Sequence, residues 1–222
     1  MQVLFVHGMG RSPLSGWPML SRLQRAGLKT CTFGYCVSVA DFATIRHRLV
    51  RRIAQLAAQG DYVLVGHSLG GVLLRAALHA LPGTVAAPRH LYLLGSPMHA
   101  SRLAQRLQGH LVYRAMTGDC GQLLASQTRM DGIGPVAVAT TCIVGTKGIA
   151  LTGGPFGAEP NDGVVGLSEV SADWVGEQIC VPVLHSWLPS SWLVSDILLQ
   201  CLRRHQDLPA VSSAAPGDGD LP

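Results

Sequence analysis

The stretch Gly66-His67-Ser68-Leu69-Gly70 limits what this chain can fold into more than any other. Asp61-Tyr62-Val63-Leu64-Val65 precedes it, a short apolar run that reads as a buried strand. Gly71-Val72-Leu73-Leu74-Arg75-Ala76-Ala77-Leu78 follows it, rich in helix formers and carrying an apolar face. A G-x-S-x-G therefore sits where a strand turns sharply into a helix. At such a turn the serine occupies a strained tip. The residues two before and two after it must be small, because strand and helix approach too closely for side chains. The helix N-terminus behind Ser68 offers unpaired N–H groups and a positive dipole end to developing negative charge. A serine that merely caps the helix is the plainer alternative. The flanking strand and helix favour a nucleophile.

The rest of the chain repeats the strand–helix alternation. Val3-Leu4-Phe5-Val6 reads as a central strand ending at His7-Gly8-Met9-Gly10. Leu14 to Arg25 has helical spacing, with Gly27 as its terminator. Lys29 to Phe33 is a second strand. Asp41 reads as the N-cap of a helix whose apolar positions run from Phe42 to Ala57. Tyr62 to Val65 is the third strand, and the helix after Ser68 runs to Leu81, where Pro82-Gly83 breaks it. His90 to Leu94, Ala137 to Val144 and Gln178 to Val183 complete six strands, and Pro189 to Arg204 is the last helix. The strands are continuous apolar runs, as burial on both faces requires. The alternation predicts an α/β fold: a three-layer sandwich of about six parallel strands with helices on both faces. Ligands in such sheets sit beyond the carboxyl ends of the strands, where the loops after Val6, Val65 and Leu94 meet. Residues 1–204 read as a single domain. Within it, residues 100–131 read either as a small cap over the sheet edge or as a plain crossover helix. Gly145 to Gly163 is a long Gly- and Pro-rich loop of the kind that is usually functional or mobile. The tail, 205–222, has no core-forming pattern and reads as disordered.

Composition removes other classes. With 222 residues, 48% apolar and 14% charged, the chain has ample core-forming material. The net charge of +4 is mild and its basic residues are not interleaved with stacking aromatics, so no nucleic-acid partner is expected. No secretory signal is visible, and no run reaches the roughly 18 to 20 apolar residues of a membrane span. The six cysteines show no C-x-x-C pair and no zinc spacing. They read as reduced, mostly buried thiols in a cytoplasmic protein. No metal and no cofactor is expected.

A serine hydroxyl needs a base within hydrogen-bond reach, and the base needs an acceptor that orients it. In sheets of this type the order along the chain is serine, acid, histidine. His185 follows the last strand and fits the base; His47, His79 and His205 fit it less well. Asp162, in Asn161-Asp162-Gly163-Val164-Val165, lies between the fifth and sixth strands and fits the acid. Glu159 is a close competitor, and Asp173 a distant one. Asn-Asp-Gly is also an ordinary turn sequence. Two backbone donors should hold an oxyanion: the N–H of Leu69, directly after the nucleophile, and the N–H of Met9 in the glycine-rich loop after the first strand. His7, Gly8, His67 and His99 are the candidate pocket residues. Leu14, Leu103, Leu107, Leu111 and Met116 either line an acyl pocket or belong to the core.

Taken together, His7-Gly8-Met9-Gly10, Gly66-His67-Ser68-Leu69-Gly70-Gly71, Asn161-Asp162-Gly163-Val164-Val165 and His185 resemble the α/β-hydrolase superfamily, and within it the bacterial lipases and esterases. The resemblance spans residues 1 to about 204. It implies that Ser68 attacks an acyl carbonyl, that His185 shuttles the proton, that Asp162 orients His185, and that Leu69 and Met9 hold the oxyanion. The chain departs from the full pattern by starting at the first central strand. It also has Ser96-Pro97-Met98-His99 where Thr-Pro-His is usual. The expected activity is hydrolysis of a carboxylic ester through an acyl-enzyme, on a small acyl ester or lipid substrate. A thioesterase or acyltransferase on the same triad is the alternative. A non-catalytic binding module is the remaining one.

Overall fold

The inner strands alternate their side chains between two buried layers. In the computed structural model, which describes residues 1–149 and 153–205, the strands form one six-stranded sheet with all neighbours parallel. In chain order the elements are β1 (Gln2–Val6), α1 (Trp17–Arg25), β2 (Lys29–Phe33), α2 (Phe42–Ala57), β3 (Tyr62–His67), α3 (Leu69–His79) and β4 (Leu91–Leu94). They continue as α4 (Arg102–Leu107), α5 (Leu111–Ala125), α6 (Gln127–Asp131), β5 (Thr140–Gly145), α7 (Leu167–Val170), β6 (Glu177–Val181) and α8 (Trp192–Arg204). The strand order is β2-β1-β3-β4-β5-β6. Val3, Phe5, Val63 and Val65 point into the layer built with α1 and α8, through Met19, Leu23, Leu198 and Leu202. Leu4, Val6, Leu64 and Leu93 point the other way, against Ile45, Leu49 and Ile53 of α2 and Leu73 of α3. Two-sided burial explains why these strands carry no polar alternation.

Register brings the loops together. Val6 pairs with Gly66 and His67 with Leu94, so the loops after β1, β3 and β4 leave the sheet side by side. The Asp41 side chain accepts from the Thr44 amide at 2.8 Å and caps α2, as its position predicted.

The structure departs from the sequence expectation in several places. The helix expected from Leu14 is a 3-10 turn, Pro13–Gly16, followed by α1. Gly16 lies against the Phe5 ring, where a Cβ would collide, and Pro18 is tolerated only in the first turn of α1. β6 ends at Val181 because Pro182 has no N–H to give the ladder. A second 3-10 turn, His185–Ser190, precedes α8. Residues 101–131 form three helices rather than one crossover helix. Gly118 breaks α5 with φ +53, and a Cβ there would stand 2.5 Å from the Val37 carbonyl oxygen. Leu14, Leu111 and Met116 are exposed, so they are not core. All six cysteines are free; Cys120, Cys142 and Cys201 are buried as expected, but Cys36 and Cys180 are exposed. The expected disordered tail beyond His205 lies outside the described residues. Among those described, no helix is long and apolar enough to cross a membrane.

One charge is buried in the helix behind the serine turn. Arg75 is 2% exposed. It donates to the Pro97 carbonyl at 3.1 Å and the Gly134 carbonyl at 2.9 Å, and its guanidinium faces Trp174. Burial lowers its pKa to about 10.

Candidate active site

The serine turn has the strain that its sequence requires. Ser68 has φ +52 and ψ −125, and it is the one non-glycine residue with positive φ among those described. The turn closes because strand and helix touch backbone to backbone. A Cβ on Gly66 would stand 2.5 Å from the Gly71 Cα, and one on Gly70 would run into the Val6 carbonyl oxygen. The Ser68 amide donates to the Leu94 carbonyl at 2.9 Å, which fixes the turn to β4.

Asp162 is held from several sides. Its Oδ1 accepts from the Val164 amide at 3.0 Å and the Val165 amide at 2.8 Å. Its backbone carbonyl accepts the His185 amide at 2.9 Å. Its Oδ2 meets His185 Nδ1 at 2.6 Å, with both side chains buried. The carboxylate partner assigns the imidazole proton to Nδ1 and leaves the Nε2 lone pair available. Nε2 has no hydrogen-bond partner among the described residues and is not sealed from solvent. The pair abuts the serine turn: a Cβ on Gly95, next to Leu94, would lie 3.0 Å from Asp162 Oδ2 and 3.1 Å from His185 Nδ1. Among the described residues no hydrogen bond joins the Ser68 hydroxyl to His185. Such bonds are commonly long without substrate.

The loop after β1 lies against the serine. A Cβ on Gly8 would be 3.1 Å from Ser68 Cβ. The amides of Met9 and Leu69 have no hydrogen-bond partner among the described residues. Leu69 opens α3, where N–H groups are unpaired by construction.

Two of the candidate pocket histidines prove to be buried framework. His7 is 1% exposed; its Nε2 accepts the Tyr35 amide at 3.3 Å, and its Nδ1 lies 2.9 Å from the Gly8 carbonyl. Its ring stacks on Tyr35 at 4.3 Å, and burial lowers its pKa. His67 is equally buried and its Nε2 donates to the His185 carbonyl, 3.0 Å away. Burial, then the nearby His185, holds His67 well below the usual histidine range, so it is neutral at pH 7. Both rings therefore shape the site from behind and touch no open pocket. His99 is exposed, with its amide donating to the Glu169 carbonyl at 3.3 Å.

Sequence reasoning missed a clamp behind the acid loop. Glu169, 4% exposed, accepts the Arg102 amide on Oε1 and the Gly166 amide on Oε2, both at 2.6 Å. The Arg102 guanidinium meets Glu169 at 3.3 Å and Glu159 at 2.6 Å, and Glu159 also accepts the Ser168 amide. Glu159, the competing acid, is thereby spent on Arg102 and Ser168, away from His185. No spacing in the sequence signals this clamp, because its partners are 57 and 67 residues apart.

Other features lie elsewhere. A cleft of about 300 Å³ beside the acid loop is lined by Ile149, Phe156, Asn161 and Leu184. A larger one of about 540 Å³, near His90 and Glu177, opens at the amino edge of the sheet, away from Ser68. Among the described residues, no three His, Cys, Asp or Glu side chains stand together as a metal site.

No family model and no curated protein sequence matches the chain. Solved structures do. The mature form of a Bacillus licheniformis lipase superposes over 90% of this chain and 91% of its own, at 17% identity and TM-score 0.62. A methylesterase from Arabidopsis covers 94% of this chain and 100% of its own, at 15% identity and TM-score 0.61. A thioesterase of prodiginine biosynthesis from Streptomyces coelicolor covers 92% and 85%, at 16% identity and TM-score 0.54. With the six parallel strands and the helices on both faces, these likenesses identify the chain as having the α/β-hydrolase fold.

Proposed function

We propose that the protein is a serine hydrolase that cleaves carboxylic esters through an acyl-enzyme. The observation that carries this reading is the buried 2.6 Å contact between His185 Nδ1 and Asp162, packed against Gly95 beside the turn that holds Ser68 at φ +52. In the reaction so read, Ser68 Oγ attacks the acyl carbonyl carbon and its proton passes to His185 Nε2. The carbonyl oxygen becomes an oxyanion facing the amides of Leu69 and Met9. Collapse breaks the bond to the leaving alkoxide, which takes the proton from His185. Water then repeats the sequence, releasing the acid and free Ser68. Asp162 keeps the imidazole in the tautomer that can accept, and a carboxylate at this distance stabilises the imidazolium that forms.

The lipase and methylesterase likenesses support ester chemistry. The thioesterase likeness supports a second reading, thioester hydrolysis on the same residues. Six unpaired cysteines support a reducing compartment, the cytoplasm. Residues 1–204 are read as one hydrolase domain, with residues 100–131 as its cap.

The test is a panel of water-soluble oxygen esters and thioesters of increasing acyl length, run with the protein and with Ser68→Ala. The expected result is burst kinetics and a loss of roughly 10³-fold or more in the variant. Ser68→Ala retaining wild-type turnover, or Ser68 not reacting with a fluorophosphonate, overturns the proposal.

A further inference from the structure

Every large apolar side chain left exposed among the described residues lies on one edge of the molecule, the carboxyl edge of the sheet. Leu14 and Trp17 follow β1, and Val39, 86% exposed, follows β2. Ile149 follows β5. Leu184 and Trp187 flank His185, and Trp192 and Leu193 open α8. Leu111, Val112 and Met116 occupy the outer half of α5. That half-helix belongs to the same edge: Ser38 Oγ donates to the Met116 carbonyl at 2.7 Å, and the Gly118 break rests on Val37. Both partners lie between β2 and α2. Beyond the first turns of α1 and α8 and the outer half of α5, the described helices carry no such side chain, and neither does the amino edge. Scattered exposed apolar groups are ordinary, but this confinement to the loops around Ser68 is not.

The charges on this edge are also one-sided. Arg11, Arg114 and Lys147 are exposed and have no carboxylate partner among the described residues. Of the nearby carboxylates, Asp119 is paired with Arg129 and Glu159 with Arg102, while Asp41 caps α2, is exposed and keeps its charge. Three of the four tryptophans stand in the ring, a residue type suited to the boundary between water and acyl chains.

We propose that this edge docks on an anionic lipid bilayer, with the loops around Ser68 facing the surface. Given the ester-hydrolase reading above, on which this clause rests, the acyl substrate enters from the membrane. A second copy of the chain fits the edge less well. It would set the three unpaired cations of each chain against those of the other with one exposed carboxylate, Asp41, to match them, and it would close both mouths.

The experiment is co-sedimentation of the full chain with phosphatidylcholine vesicles, with and without one-third phosphatidylglycerol. Binding to the anionic vesicles, weakened by salt, is expected. Val112→Asp/Met116→Asp should reduce it at least about tenfold, and Arg114→Gln/Lys147→Gln by about fivefold per cation removed. Arg114→Gln/Lys147→Gln should hydrolyse a water-soluble acetate ester like the parent. Absence of vesicle binding, binding unchanged in Val112→Asp/Met116→Asp, or a dimer dispersed by those substitutions in place of vesicle binding each overturns the proposal. If the parent binds vesicles yet neither hydrolyses soluble esters nor takes up a fluorophosphonate, the docking stands and the ester-hydrolase reading falls.

Discussion

Removal of the Glu169 carboxylate should cost more stability than any surface ion pair, although the residue belongs to a salt bridge. Its two oxygens accept two main-chain amides, Arg102 and Gly166, each at 2.6 Å, and the side chain is 4% exposed. Glu169→Ala leaves both donors without a partner where little water reaches. At roughly 1–3 kcal/mol for each buried donor left unpaired, the loss is about 4 kcal/mol. Arg102 contributes far less. Its side chain is 34% exposed, so its ion pairs are screened, and Arg102→Met leaves both amide bonds in place: about 1 kcal/mol is expected. Glu169→Gln keeps one accepting oxygen and should fall between, near about 2 kcal/mol. Urea denaturation at pH 7 measures all three, with m held constant as the check that the same transition is compared. The domain should remain folded, since total stability is on the order of 5–15 kcal/mol. Gly166 pairs with Asn161, beside Asp162, so Glu169→Ala should also lower kcat/KM for a soluble ester. The reasoning is refuted if Glu169→Ala stays within about 1 kcal/mol of the parent, or if Arg102→Met costs more than Glu169→Ala.

Two further outcomes follow from contacts described above. Gly70→Ala should cost more than about 3 kcal/mol, because its Cβ meets the Val6 and His7 carbonyls of a central strand, which have nowhere to move; a melting temperature equal to the parent's would contradict this. Acid should destabilise the fold below about pH 6.5. Burial and the neighbouring His205 lower His90 from 6.5 to about 4, and burial lowers His7 and His67 as well. Between the two values the unfolded chain binds protons that the folded chain does not, so this stability is present above pH 6.5 and is lost as pH falls towards 4. His90 alone accounts for at most about 3 kcal/mol, and a denaturation midpoint flat between pH 7 and 4.5 would refute the assignment.

What the sequence disclosed was what short-range physics writes into it. The buried strands declare themselves because burial on both faces removes all polar alternation. The α2 cap is legible in Asp41 because cap and helix are neighbours. The serine turn is legible because a backbone contact between Gly66 and Gly71 leaves small residues as its trace. Errors appear where distant contacts decide. The 3-10 turn at Pro13 depends on the Phe5 ring, and the break at Gly118 on the Val37 carbonyl. His7 and His67 carry the right residue type for a pocket, yet their partners, Tyr35 and His185, lie 28 and 118 residues away and turn them inward. The Glu169 clamp joins polar residues from irregular segments, which have no periodicity to read.

The buried guanidinium of Arg75 has a consequence for how the molecule comes apart. It spans two crossover connections, at Pro97 and Gly134, from the helix that carries the serine turn. Neither carbonyl can be released without stranding a cation among apolar side chains. The nucleophile's helix and the segments on either side of the three-helix insertion are thus locked into one cooperative block. Loosening of the insertion's outer edge can proceed without disturbing it.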